Sequence, residues 1–63
     1  MKTTFDELPQ WTFEMDEVSA NVYEVIGVDK LGHRVQVKGL DLDILLQNAR
    51  DLAKKIEDEI PKN

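Results

Sequence analysis

The stretch from Gly39 to Ile60 constrains the fold most, because its apolar residues recur at helical spacing. Leu42, Leu45, Leu46, Ala49, Leu52, Ala53, Ile56 and Ile60 fall on one stripe at about 100° per residue. Such a stripe must be covered by another element. Asp41 is placed as N-cap, and Asp43 puts negative charge in the first turn, where the helix dipole favours it. Lys54 and Lys55 suit the far end, Glu57, Asp58 and Glu59 oppose it, and Pro61 forbids continuation. The pattern predicts a helix over 41–59 that frays past Ile56, followed by a tail over 60–63.

Upstream the period changes to two. Residues 1–9 carry Thr4 and, three positions on, Glu7, a capping-box spacing that predicts a single helical turn or an arm stopped by Pro9. Phe5 and Leu8 would then share a face. From Gln10 to Asp16 the residues alternate strictly, with Trp11, Phe13 and Met15 on one side, as in a half-buried strand. A polar bend over Glu17–Asn21 leads to Val22–Val28, apolar on both faces apart from Glu24, which reads as a central strand. Asp29-Lys30-Leu31-Gly32 reads as a type I turn with Gly32 left-handed, and His33 to Lys38 alternates again.

Turn type fixes register. Pairing Asp29 with His33 sets Gly27 against Val35, Val25 against Val37, and Tyr23 near Gly39. The same counting across the first bend sets Met15 against Tyr23, Phe13 against Val25, and Trp11 over Gly27. One face then collects Trp11, Phe13, Met15, Tyr23, Val25, Val35 and Val37. The predicted fold is therefore α+β: a three-stranded antiparallel β-meander over 10–38, packed by one C-terminal α-helix, in a single domain of 63 residues.

A chain this short buries only about 60% of its unfolded surface and gains from a partner or a second copy of itself. With no cysteine and a single histidine, neither a disulfide nor the usual zinc spacing is available. No apolar run approaches the about 20 residues that span a bilayer, which reads as a soluble cytoplasmic protein. The net charge of −5 argues against nucleic acid and favours a basic protein partner.

The sheet face turned away from the helix is the candidate contact surface. It carries Val22, Glu24, Ile26 and Val28 from the central strand, beside Arg34, Gln36 and Lys38. β-Branched residues in a polar frame suit an interface. Ile44, on the helix side opposite the stripe, is a second candidate contact. His33 beside Asp29 lacks the pocket and third group that acid–base catalysis needs. The acidic runs lack calcium-loop spacing, and neither a glycine-rich phosphate loop nor a nucleophile motif occurs.

The run from Tyr23 to Ile56 resembles the strand-turn-strand-helix unit of HicB-type antitoxins, whose helix reads Leu-Glu-Glu-Ala-Leu-Glu-Asn-Ala. Gly39, Asp41, Leu42, Asp43, Leu46, Asn48 and Ala49 carry the likeness. The family's proline- and glycine-containing loop between strands has no counterpart. The resemblance implies a partial RNase-H-like β-β-β-α unit used for partner binding or dimerisation.

Taken together, the residues predict a small non-enzymatic protein-interaction or dimerisation module without cofactor or metal. Its partner is a protein or a second copy of the chain, not nucleic acid, a membrane or a small-molecule substrate. An antitoxin-like or nucleic-acid-associated regulator is the alternative.

Overall fold

The computed structural model describes residues 1–60 of the chain. It is an antiparallel sheet with one helix packed on one face, built in the order β1 (Lys2–Phe5), β2 (Leu8–Ser19), β3 (Val22–Asp29), β4 (Arg34–Gly39) and α1 (Leu42–Glu59). The strands lie in sequence order, β1-β2-β3-β4, so the sheet has four strands where three were expected. From Pro61 onward the expected tail lies outside the described residues.

The extra strand replaces the expected arm or helical turn over residues 1–9. Lys-Thr-Thr-Phe is β-prone, and pairing Thr3 with Phe13 sends Thr3 and Phe5 toward the core. The chain reverses tightly at Asp6–Glu7, so that Phe5 faces Leu8. Between Thr3↔Phe13 and Phe5↔Leu8, residues Pro9 to Thr12 of β2 stand against Thr4 alone. Pro9 is tolerated there because β3 pairing begins only at Trp11↔Asp29.

The β3–β4 register is as expected: Gly27↔Val35, Val25↔Val37 and Tyr23↔Gly39, with Gly32 left-handed at φ +95°. The β2–β3 register is not. Phe13 pairs with Gly27, Met15 with Val25 and Glu17 with Tyr23, a slip of two residues from the expected pairs. The reversal is tighter than the polar bend suggested. β2 continues to Ser19, Val18 bulges between Glu17 and Ser19, and Asn21 takes the left-handed conformation at φ 60°. The Asn21 amide donates to Glu17 Oε2 at 3.1 Å. A slip of two leaves every side chain on its face, so the expected inner face holds, with Tyr23 and Val37 half-buried and the rest buried. Phe13 rather than Trp11 covers Gly27: a Cβ on Gly27 would lie 2.5 Å from the Phe13 ring.

The core joins Leu8, Trp11, Phe13, Met15, Val25 and Val35 to Leu45, Ala49 and Ala53 of α1. The alanines let the helix axis come close to the sheet over β3 and β4. Asp41 caps α1 as expected, its Oδ1 accepting from the amides of Asp43 at 3.1 Å and Ile44 at 3.3 Å. The helix runs to Glu59, where the Ile60 amide donates to the Glu57 carbonyl. Glu57 has a second role, accepting from Trp11 Nε1 at 2.9 Å.

Candidate functional site

The alternation of antiparallel hydrogen bonding determines which backbone groups of β4 are used. The Asp29 amide donates to the His33 carbonyl at 3.1 Å, so His33, Val35 and Val37 direct their backbone groups at β3. Arg34, Gln36 and Lys38 direct theirs away, into the free edge of the sheet. The other edge, β1, is shorter, is interrupted between Thr3 and Phe5, and holds Lys2 4.0 Å from Glu14. Of the two edges, β4 is the continuous one.

Beside that edge the helix overhangs. Counting turns from the buried line through Leu45, Ala49 and Ala53, one flank carries Leu46, Arg50 and Glu57 and faces β2; the other carries Asn48, Leu52 and Lys55. Leu52, expected in the buried stripe, is 42% exposed. It has no strand beneath it because the sheet ends at β4. Together with Asn48, Asp51 and Lys55 it walls a groove whose sheet side is Val37. Ile44, one turn before Asn48, is 55% exposed on the same flank, and Leu40 before the cap is 75% exposed.

The candidate residues divide accordingly. Val22, Glu24, Ile26, Val28, Arg34, Gln36 and Lys38 share the outer sheet face, with Val28 opposite Arg34, Ile26 opposite Gln36, and Glu24 opposite Lys38. Of the apolar residues Val28 is exposed, whereas Val22 and Ile26 are half-buried, Ile26 lying between Glu14 and Gln36. Ile44 is on the helix layer, not on that face, and lies outside the lining of the groove. The groove itself escaped sequence reasoning, because Leu52 has helical spacing and the place where the sheet stops is not written in it.

Charge along the edge runs against the charge of the whole chain. Gln36 Nε2 donates to Glu24 Oε2 at 2.6 Å, and among the described residues neither Arg34 nor Lys38 has an ion-pair partner. Two cations without an ion-pair partner among the described residues therefore flank the exposed backbone of β4, Lys38 lying across from Glu24, in a chain of net charge −5. The groove wall carries one acidic and one basic side chain, Asp51 and Lys55.

At the β3–β4 turn the Asp29 carboxylate is fully covered and receives His33 Nδ1 at 2.7 Å, the His33 amide at 2.7 Å and the Leu31 amide at 3.0 Å. Burial alone would raise its pKa; the His33 side-chain and backbone contacts, with the Leu31 amide, outweigh it and hold the carboxyl below the usual range. This arrangement braces the hairpin. Neither Asp29 nor His33 lines the groove, and among the described residues no three His, Cys, Asp or Glu side chains gather as metal ligands. Among those residues no helix is long and apolar enough to cross a membrane.

No known protein family, curated protein or solved structure matches the chain.

Proposed function

We propose that the protein is a non-enzymatic protein-interaction module that receives its partner at the free edge of β4. One observation carries the reading: a continuous unpaired edge lies directly beside an apolar groove, so an added strand would satisfy backbone groups and bury Val37 and Leu52 together. The outer sheet face is the weaker candidate, because its Val22 and Ile26 are already half covered by neighbouring strands.

Gln36 offers a clean test. Its backbone amide points away from β3, so Gln36→Pro removes an edge donor, together with the side-chain bond to Glu24, while leaving the backbone β3–β4 ladder intact. A photo-crosslinking side chain at position 38, introduced into the protein in its source cells, should give one discrete adduct. That adduct should vanish in Gln36→Pro with the thermal midpoint little changed. An adduct that survives in a folded Gln36→Pro protein would overturn the edge as the binding site. The same chain examined by sedimentation at tens of micromolar distinguishes a second copy from a foreign partner.

A further inference from the structure

We infer that the occupant of the β4 edge is an extended segment of a partner protein in which acidic and β-branched residues alternate. The inference rests on the edge-binding reading above and adds the chemistry of the partner.

Three residues, Arg34, Gln36 and Lys38, turn their backbone groups outward. An antiparallel strand can therefore form a closely bonded pair at each of them, exchanging both hydrogen bonds. Side chains of paired residues lie on the same face. Partner residues opposite Arg34 and Lys38 thus share the outer face with a guanidinium that has no carboxylate opposite it on β3 and an ammonium that lies across β3 from Glu24 without forming an ion pair. Carboxylates at those two places face opposite charge across the new pair; lysines or arginines there would be repelled. The intervening partner residues point to the other face, where Val37 and Leu52 line the groove. That space faces apolar side chains on both the sheet and the helix side, and β-branched residues suit an extended backbone.

A second copy of this chain fits less well. The two-fold pairing that uses all three outward residues centres on Gln36 and sets Arg34 of one chain against Lys38 of the other. Sliding the mate by two residues relieves that opposition but gives up one of the closely bonded pairs. The charge on the edge thus works as a filter: it disfavours self-pairing in the fullest register and favours an acidic strand.

The test uses the full chain, isotopically labelled, titrated to millimolar concentration with either of two short capped peptides. One alternates valine with glutamate, the other valine with lysine. The glutamate peptide should shift the amide resonances of Arg34, Gln36, Lys38 and Leu52, bind about tenfold tighter than the lysine peptide, and weaken as salt is added. The double variant Arg34→Glu/Lys38→Glu should invert the preference. Equal binding of the two peptides, or a preference for lysine in the wild-type protein, would overturn the acidic occupant. So would silence of those resonances toward the glutamate peptide. If the position-38 adduct is nevertheless lost in Gln36→Pro, the edge-binding reading stands and only the partner chemistry fails. If the adduct survives, the edge itself is wrong. A wild-type dimer at tens of micromolar that Gln36→Pro dissolves would assign the edge to a second copy and also overturn the acidic segment.

Discussion

On its β2 side α1 is closed down by Trp11, Phe5 and Glu7, with its own Glu57 reaching across, whereas on its β4 side it leaves Leu52 beside an unpaired strand. The closed flank is densely cross-linked. The Phe5 ring meets Phe13 edge-on at 5.2 Å, Trp11 stacks on Phe13 at 6.1 Å, and Trp11 reaches Glu57. The Arg50 guanidinium lies 5.9 Å above the Phe5 ring. Its Nε is 2.9 Å from Glu7 Oε1, an ion pair whose angle falls short of a hydrogen bond, so this contact is a charge contact and not a directed one. Among the described residues nothing comparable exists across the helix. The chain has large side chains enough to seal one flank, so the openness of the other follows from where the sheet ends and not from a shortage of apolar residues.

The largest break in that contrast is expected at the centre of the closed flank. Phe13→Ala removes a fully buried ring that also covers Gly27, and should cost about 3–5 kcal/mol, enough to unfold most of the protein. Urea titration followed by far-UV circular dichroism measures it; an unchanged midpoint would refute the packing of Phe13 beneath α1. Trp11→Phe keeps most of the ring and deletes the indole donor, leaving Glu57 without its partner. The expected loss is about 1–3 kcal/mol in the same titration. Leu52→Ala sharpens the contrast from the open side: a residue 42% exposed should cost about 1 kcal/mol or less, well under a buried Leu45→Ala. Equal losses at positions 45 and 52 would mean that something covers the groove.

The smallest effect concerns the hairpin that presents β4. The Asp29 carboxyl is held below its ordinary pKa by His33 and the amides around it, so it contributes stability that is fully present above the unfolded value of about 3.9. That contribution is lost as pH falls through the folded value. Urea midpoints recorded from pH 7 downward should bend in this window for the wild-type protein and bend less for Asp29→Asn. Identical acid limbs would show that the carboxylate does not brace the turn.

Local chemistry explains which parts of the fold were legible in the sequence. Asp29-Lys30-Leu31-Gly32 prescribes one turn, and the β3–β4 register follows from it. The helix was equally plain, since Asp41 and the stripe from Leu42 to Ile56 point to one element. The β2–β3 turn was not, because Asn21 adopts a conformation glycine usually supplies and the Val18 bulge leaves no mark in the alternation. β1 was hidden by the Thr4–Glu7 spacing, which mimics a helix start while Lys2–Phe5 finds its partner only in three dimensions. Of the candidate surface, the shared face of Glu24, Ile26, Val28, Arg34, Gln36 and Lys38 was readable from period alone. The groove was not, since it depends on the sheet ending at β4 among the described residues.

The strand order carries a kinetic consequence. Every strand pairs with its neighbour in sequence, so the sheet can zip up through short hairpin closures, each of them a local event. Seating the far end of α1 on β2 is the step that closes a long loop, since Trp11 to Glu57 spans 46 positions. The chain's single tryptophan sits at that closure. Stopped-flow fluorescence would then time the helix arriving on the sheet, while far-UV dichroism in the same mixing experiment would follow the strands that formed before it.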